Sequence, residues 1–425
     1  MIRAWIFDTD LPFLPAGAAA STVPPETRMA GLTLLRRMIL MARHEGAEQV
    51  TVIARDETAR QCWVASEGHH PVAIASVTDA ASAPLDEDDQ VLLLSTHLLP
   101  ERGLLRRILG EAREREMPVS AAPEEGGACG PALVPAGWLL PALRAGAAPA
   151  EAARQALRSG RLVPLEVNPG AVRHLTSPEA VRAADRSLYE GLTSVADGYI
   201  DRTFNRRLSK WFTRAIINLP ITPNAVTGLH FSLGLVAAWL FGTGEYWQQA
   251  LGAVLLQLAV ALDCSDGEVA RLKYQFSKAG GWLDVWADVL VTIAVFIGVA
   301  KSATGILGTS TALTLGALAA SGVLMCIVVI YSLAQVQSRR GEAARLAATS
   351  RLGSGTAPAA GGNALIDAVM NEATSRDFTV LIVGCALIGR LEWIAWMAGV
   401  GSHLFWMVFA AIQLALFRTA RTEPR

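Results

Sequence analysis

The stretch LDCSDGEVARLKYQFSKAGGWLDVWAD, residues 262–288, places four aspartates between two long apolar segments. Asp263 and Asp266 are three residues apart, and Asp284 and Asp288 are four apart, so each pair lies on one face of a helix. Carboxylates are costly to bury in a membrane, and intramembrane aspartates are therefore candidates for a functional site. The alternative interpretation is that the aspartates are helix caps or solvated loop charges. Four aspartates at helical spacing argue against it.

The composition indicates a chain with a membrane-embedded part. Its 425 residues leave room for two or three domains, and only 18% of them are charged while 52% are hydrophobic. Long apolar runs dominate after about residue 218. The five cysteines lack metal-type spacing, no block of like charge suggests a nucleic-acid partner, and the first residues lack the apolar core of a signal peptide. We therefore expect no nucleic-acid binding and no export of the first half.

Six apolar segments are each near the ~20 residues that a membrane-spanning helix requires. They lie at 225–242, 246–265, 281–300, 308–334, 378–390 and 394–417. They predict an all-α six-transmembrane-helix bundle over residues 221–425. Lys and Arg concentrate between the second and third segments, between the fourth and fifth, and in the C-terminal tail. The positive-inside rule then predicts a multi-pass protein of the cell membrane, with both termini and the aspartates on the cytoplasmic side.

Residues 198–220, just before the first span, have the pattern of an amphipathic helix. Apolar side chains fall on one broad face, and cations that include Arg206 and Arg207 surround the rest. One interpretation is a solvated helix on a soluble domain. Because membrane spans follow at once, we favour a helix lying at the membrane surface, where Arg206 and Arg207 bind lipid phosphates.

The first part of the chain has an α/β pattern. Short β-branched or apolar runs at 3–7, 49–54, 71–76 and 91–95 are typical of buried parallel strands. Helical patterns at 31–46 and 101–116 alternate with them, which predicts a layered sheet. We expect a loop at 124–137. The domain would cover residues 1–175, and a linker helix would follow at 176–197.

The two aspartate pairs are expected to come together. If the second and third spans are antiparallel neighbours, the short link between them brings all four carboxylates to the same end. Such a cluster would repel itself without cations. Oxygen ligands of this kind suit a hard divalent ion, Mg²⁺ or Mn²⁺, and two ions would fit four carboxylates.

Here the residues resemble a known family. Asp263-x-x-Asp266-Gly267-x-x-Ala270-Arg271, eight further residues, and Gly280-x-x-x-Asp284-x-x-x-Asp288 together look like the signature of the CDP-alcohol phosphotransferases. The resemblance extends over about 198–425. It includes the stretch Thr222-Pro223-Asn224-x-x-Thr227 at the start of the first span.

The resemblance implies a reaction and a set of roles. A CDP-alcohol would transfer its phosphoalcohol group to an acceptor hydroxyl, and CMP would leave. Asp263, Asp266, Asp284 and Asp288 would bind the metal ions, and Asp288 would also accept the proton of the acceptor. The nucleotide would contact eight residues, namely Asp263, Asp266, Gly267, Ala270, Arg271, Gly280, Asn224 and Thr227. For Asn224 and Thr227 an N-cap and a helix hydroxyl are the competing interpretation.

The acceptor substrate would be bound by cationic side chains near the cytoplasmic opening of the site. Arg376, Arg339 and Arg340 are candidates to hold the phosphate of a polyol acceptor. Their alternative role is simply positive-inside charge. The donor would be CDP-diacylglycerol or a CDP-polyol such as CDP-inositol. Membrane lipids are expected partners, and the family resemblance implies a homodimer through the membrane domain.

The first domain resembles the sugar-phosphate nucleotidyltransferases in the segment GLTLLRRMILMARHEGAEQVTVIA, residues 31–54. An active member needs a Gly-rich loop after the first strand to hold a triphosphate. That strand here continues into FDTDLPFLPAG, which has no such run. We therefore expect a nucleotidyltransferase-like, cytidylyltransferase-like domain that is catalytically degenerate.

Two other functions compete with a phosphotransferase. The aspartates could form the transport site of a cation transporter, or the membrane half could be an inactive scaffold. A transporter predicts carboxylates near the middle of the membrane and polar residues in several spans. The aspartates instead cluster toward one end, and the glycine, alanine and arginine matches would be accidental.

Overall fold

The structure is a computed structural model that describes residues 1–8, 13, 23–54, 73–76, 85–115, 117–121, 130–159, 162–168, 170–192, 204–339 and 378–422. Its contacts divide the chain into two compact units, Met1–Leu188 and Tyr189–Arg425. The first unit is an α/β domain and the second is helical, as the sequence predicts.

The first unit contains eleven described strands. They are β1 (Ile2–Phe7), β2 (Arg28–Met29), β3 (Leu32–Thr33), β4 (Gln49–Ala54), β5 (Ala73–Ser76), β6 (Gln90–Ser95), β7 (Leu98–Pro100), β8 (Val119–Ala121), β9 (Ala132–Pro135), β10 (Val163–Leu165) and β11 (Val172–His174). Seven form one sheet in the order β10-β8-β9-β6-β1-β4-β5. The four predicted strands are confirmed as β1, β4, β5 and β6, which pair in parallel at one side of the sheet.

Five helices accompany these strands. They are α1 (Leu34–His44), α2 (Leu104–Arg115), α3 (Leu140–Arg144), α4 (Pro149–Ser159) and α5 (Pro178–Glu190). Thr33 begins α1, because its hydroxyl accepts a hydrogen bond from the backbone N–H of Arg36. In α5, the helix expected as a linker, the Asp185 carboxylate accepts a hydrogen bond from the Ala30 backbone N–H within the same unit.

The prediction of a loop at 124–137 is wrong for residues 132–135. Residues Ala132–Pro135 form β9, which runs antiparallel to both β6 and β8 and makes the sheet mixed. Ala132, Leu133 and Val134 are buried. Flanking glycines and prolines obscure this strand in the sequence, and burial between two neighbouring strands stabilises it.

The second unit contains eight described helices. They are α6 (Arg206–Ile216), α7 (Pro223–Phe241), α8 (Tyr246–Lys273), α9 (Lys278–Ser302), α10 (Thr304–Leu307), α11 (Thr309–Arg339), α12 (Phe378–Leu387) and α13 (Leu391–Thr422). Five of them, α7, α8, α9, α11 and α13, are long and apolar enough to cross a membrane. The apolar helix α12 has 10 residues, and residues 340–377 before it lie outside the described part. The count of six spans therefore stays a prediction.

The arrangement of the first three spans differs from the expected one. Helices α8 and α9 both pack on α7, whereas they make few direct contacts with each other along their described lengths. Small residues permit this close packing. A Cβ on Gly252 of α8 would lie 3.0 Å from the Ala237 carbonyl oxygen of α7, and a Cβ on Gly298 of α9 would collide with the Ala238 carbonyl oxygen. The first span thus lies between the two helices that carry the aspartates.

Local signals fix where these spans begin and end. Thr222 caps α7 by accepting a hydrogen bond from Ala225, and Pro223 occupies the first helical position. Tyr274 ends α8 in the left-handed region with φ 55°. Ser277 then caps α9 by accepting a hydrogen bond from Gly280 at 2.8 Å. The link between the aspartate pairs is therefore a tight turn of four residues, 274–277.

Candidate active site

One group of side chains in the described residues has the composition of a metal site. His230, Asp263, Asp266 and Asp284 each offer one ligand atom, and these atoms all lie within 4.8 Å of one another. His230, Asp263 and Asp266 are buried, and Asp284 is half-buried. Three helices contribute to the group: α7 carries the histidine, α8 the first two aspartates and α9 the third.

Helix α7 holds the group together. Its Thr227 hydroxyl donates a hydrogen bond to Asp266 Oδ2 at 2.6 Å. One turn later, His230 Nε2 lies 3.8 Å from Asp263 Oδ1. Thr227 and His230 are three residues apart and so share the helix face that lies between α8 and α9. The predicted proximity of Asp263, Asp266 and Asp284 is thus achieved through the intervening first span.

The donor set fits a divalent cation. Three carboxylates supply the negative charge that such a cation requires, and imidazole is also accepted by first-row transition metals. Two ligands on one Mg²⁺ ion lie at most about 4.2 Å apart, because each Mg–O distance is about 2.1 Å. Small side-chain rotations would bring a group within 4.8 Å into that range.

Asp288 is placed differently from the other three predicted ligands. It is half-buried and lies one turn after Asp284 on α9, outside the group of four ligand atoms. His230, which the aspartate pattern does not predict, is the fourth member of the group. A histidine in an apolar span, three residues after Thr227, was the available signal.

A cavity of about 440 Å³ opens beside this group. Seven residues from the predicted metal and nucleotide sets line it, namely Asn224, Thr227, Asp266, Gly267, Ala270, Gly280 and Asp284. Phe276 in the turn between α8 and α9 also lines the cavity, as does Lys278, the first residue of α9. A cationic side chain near a helix N-terminus favours an anionic group in the cavity.

Two glycines in the signature keep the cavity open. A Cβ on Gly280 would lie 2.7 Å from both Asn224 Oδ1 and Ser277 Oγ, so a side chain would displace those groups. A Cβ on Gly267 would lie 3.3 Å from Arg271 Nη1. The guanidinium of Arg271 therefore lies alongside Gly267, close to the cavity wall, although Arg271 itself is not among the lining residues.

The candidate acceptor cations cannot be placed in this geometry. Arg340 and Arg376 lie outside the described residues. Arg339 is the last residue of α11, and its side chain is not described. Their role stays a prediction.

The comparison with protein families agrees with these observations. Residues 220–404 match the family model of CDP-alcohol phosphatidyltransferase. This segment is a CDP-alcohol phosphatidyltransferase domain. The resemblance of the membrane half is thereby confirmed, and the domain belongs to a family of transferases. Neither the transporter nor the inactive scaffold receives support from the relatives.

Two curated relatives are similar to parts of the chain. The bifunctional IPC transferase and DIPP synthase of Aquifex aeolicus (strain VF5) is 38% identical over 119 residues, 28% of this chain and 27% of that protein. The archaetidylinositol phosphate synthase of Pyrococcus horikoshii is 35% identical over 88 residues, 20% of this chain and 45% of that protein. The chain thus matches less than half the length of either relative.

A solved structure is also similar. It is the crystal structure of Mycobacterium tuberculosis phosphatidylinositol phosphate synthase with CDP-DAG bound, which is 22% identical and covers 47% of this chain and 92% of its own. The TM-score is 0.27, which is too low to establish a common arrangement of the helices.

Proposed function

We propose that the chain is an integral membrane CDP-alcohol phosphotransferase that depends on a divalent metal, Mg²⁺ or Mn²⁺. It transfers a phosphoalcohol group from a CDP-alcohol to an acceptor hydroxyl and releases CMP. The observation that carries this proposal is the group His230, Asp263, Asp266 and Asp284 beside a cavity of about 440 Å³, whose wall includes Asp266 and Asp284. Within a CDP-alcohol phosphatidyltransferase domain, such a cavity is the natural place for a cytidine diphosphate.

Different side chains would bind the metal ions and the nucleotide. Asp263, Asp266 and Asp284 would hold the metal ions, with His230 as a further ligand, and Thr227 would fix the orientation of Asp266 through its 2.6 Å hydrogen bond. The bound cations would neutralise the negative charge of the diphosphate. Arg271 would add a donor for a phosphate oxygen, and Gly280 would leave space for the nucleotide.

Asp288 would act as the general base. The acceptor hydroxyl gives its proton to the Asp288 carboxylate, and its oxygen attacks the phosphorus that carries the alcohol. The bond between this phosphorus and the oxygen of the CMP phosphate breaks, and CMP leaves with the electron pair. Asp288 lies one turn after Asp284 and outside the group of ligand atoms, and this position supports a role other than that of the three aspartates in the group.

The names of the relatives support an inositol-containing substrate. The Pyrococcus relative is named as a synthase of archaetidylinositol phosphate, so an inositol phosphate headgroup is the best candidate for this chain as well. The donor would be CDP-diacylglycerol or a CDP-polyol such as CDP-inositol, and Arg339, Arg340 and Arg376 would hold a phosphate of the acceptor. The product would belong to phospholipid or polyol-phosphate biosynthesis.

The test is a CMP-release assay with purified full-length protein and Mg²⁺ or Mn²⁺. We expect CMP release when CDP-diacylglycerol is combined with inositol 1-phosphate, or CDP-inositol with a lipid or polyol acceptor. An Asp288→Asn variant serves as the control. If no donor and acceptor pair gives CMP above this control, the proposal fails.

The setting in the membrane is part of the same proposal. Both termini and the active site would face the cytoplasm, lipids would surround the spans, and two copies would associate through the membrane domain. The first domain would be nucleotidyltransferase-like but inactive. Exposed apolar side chains on the outer faces of the spans, such as Trp239 and Leu313, suit contact with lipid.

A further inference from the structure

Helix α6 has a buried polar face that its amphipathic pattern does not predict. Asn205, Ser209 and Thr213 recur every four residues and are 0% exposed. The apolar side chains of Phe204 and Trp211, by contrast, are 52% and 68% exposed. The helix therefore turns its polar stripe toward the protein and part of its apolar surface outward.

The polar stripe meets a buried carboxylate on α8. Ser209 Oγ donates a hydrogen bond to Glu268 Oε1 at 2.6 Å, and Thr213 Oγ1 donates one to Glu268 Oε2 at 2.7 Å. Arg206 Nη1 lies 3.4 Å from Oε1 and completes the set. Glu268 is 0% exposed. Because a buried charge is unfavourable unless it is paired and hydrogen-bonded, these contacts are required rather than incidental.

The charge of Glu268 also acts on a cation of α6. Burial lowers the pKa of Lys210, and the Glu268 carboxylate opposes that shift. Arg206 and Arg214 act in the same direction as burial. Glu190 opposes the shift as Glu268 does, so Glu268 is one of two carboxylates that favour the charged form of Lys210.

Glu268 lies on the opposite side of α8 from the metal-binding aspartates. At about 100° per residue, it is about 160° around the helix from Asp266 and about 140° from Asp263. It therefore does not face the group that includes His230 and Asp284. The contacts of Glu268 are therefore on the face of α8 opposite to the face that carries Asp263 and Asp266.

Further contacts fasten α6 and its end to α8 on both sides of the aspartate pair. Before the pair, Gln257 Nε2 donates a hydrogen bond to Asn205 Oδ1. Between the two aspartates, Ser265 Oγ donates one to the Ser209 carbonyl oxygen at 3.3 Å. After the pair, Lys273 Nζ donates to the Leu219 carbonyl oxygen at 2.8 Å and to that of Ile221 at 3.2 Å. The contacts extend over residues 257–273, so they resist both rotation and sliding of α8.

We propose that Glu268 is a positioning residue for the metal site. Through Ser209 and Thr213 it fixes the rotation of α8 about its axis, and so it directs Asp263 and Asp266 toward the ligands from α7 and α9. The proposal rests on the metal-dependent function proposed above. A helix that only lay on a membrane surface would not need these contacts with α8. The proposal therefore gives α6 a role in the reaction.

The test measures metal binding apart from turnover. Full-length Glu268→Gln and the double variant Ser209→Ala/Thr213→Val are purified in detergent, and Mn²⁺ binding is followed by electron paramagnetic resonance. We expect the Mn²⁺ dissociation constant to rise about tenfold in both, the usual effect of losing groups that orient metal ligands. The kcat for CMP release should fall in parallel, while KM for the CDP-alcohol changes less than twofold.

Glu392→Gln is the matched control. Glu392 is also a buried carboxylate, 8% exposed, with a cationic neighbour, Arg390, at 3.3 Å, but it lies on α13. This variant should bind Mn²⁺ like the wild type. If Glu268→Gln and the double variant lower the melting temperature but leave the Mn²⁺ affinity and kcat within twofold, Glu268 only stabilises the fold and the proposal is overturned. If the wild type binds no Mn²⁺, the proposed metal-dependent function falls, and this proposal with it.

Discussion

Asp284 and Asp288 lie one turn apart on α9, but only Asp284 belongs to the group of ligand atoms. We expect this difference to separate two chemical roles. Asp284→Asn removes a charged ligand, so we expect both Mn²⁺ affinity and turnover to fall, turnover by roughly 100-fold or more. Asp288→Asn removes the proposed base, and turnover should fall by about 100-fold to 10,000-fold while Mn²⁺ affinity stays within about threefold.

Titration of each variant with Mn²⁺ and a single-turnover measurement of CMP release distinguish these outcomes. A loss of Mn²⁺ affinity in Asp288→Asn equal to that in Asp284→Asn would make Asp288 a ligand like the others. The assignment of Asp288 as base would then lose its structural support.

His230 is the ligand candidate contributed by the first span. Its Nε2 atom lies 3.8 Å from Asp263 Oδ1 in a buried environment, so we expect His230→Ala to weaken Mn²⁺ binding by about tenfold. In pulsed paramagnetic resonance, a coordinated imidazole nitrogen gives a modulation that His230→Ala should abolish. His403→Ala is the control, since His403 is a membrane histidine that contacts the Leu318 carbonyl oxygen instead. Nitrogen modulation that survives in His230→Ala would exclude coordination by this side chain.

At the scale of the elements, the packing of three helices explains which part of the site was predictable. The spacing of Asp263, Asp266 and Asp284 predicts two helix faces that converge, because helical periodicity depends only on the chain. It does not predict what lies between them. The position of α7 depends on close contacts at Gly252 and Gly298, and one sequence does not reveal which helices those glycines meet. His230 and the polar partners of Glu268 were missed for the same reason.

The same packing makes a stability prediction. A methyl group at Gly298 would collide with the Ala238 carbonyl oxygen, so Gly298→Ala must push α9 away from α7. We expect a loss of about 1–3 kcal/mol in the free energy of unfolding, seen as a lower melting temperature in detergent. Gly384→Ala is the control, because this helical glycine of α12 has nothing within 4 Å of an added Cβ. Equal melting temperatures for the two variants would contradict the proposed close packing.

At the scale of the whole molecule, the two units were easier to predict than their details. The change in composition near residue 218 indicates a soluble part and a membrane part, and contacts divide the chain at 188/189. Strand β9 was missed because ALVP lies between glycine-rich and proline-rich segments, where local propensity favours a loop. The pairing with β6 and β8 that stabilises it is a long-range effect.

The first unit is expected to lack nucleotidyltransferase activity, since no Gly-rich run follows β1 to hold a triphosphate. The test uses the full-length Asp284→Asn variant, in which we expect the membrane domain to consume a CDP-alcohol far more slowly than the wild type does. Incubation with CTP, Mg²⁺ and inositol 1-phosphate should release no pyrophosphate above a sample without the polyol. Pyrophosphate release that depends on the polyol would show an active first domain.

The charges of the membrane domain predict its orientation. Arg271, Lys273 and Lys278 flank the turn between α8 and α9, whereas the link between α7 and α8 carries no Lys or Arg. We therefore expect Gln275 on the cytoplasmic side and Glu245 and Thr309 on the opposite side, all three being exposed. In a variant without the native cysteines, Glu245→Cys and Thr309→Cys should react with a membrane-impermeant maleimide in intact cells. Gln275→Cys should react only after permeabilisation, and labelling in intact cells would reverse the proposed topology and place the aspartates on the outer side.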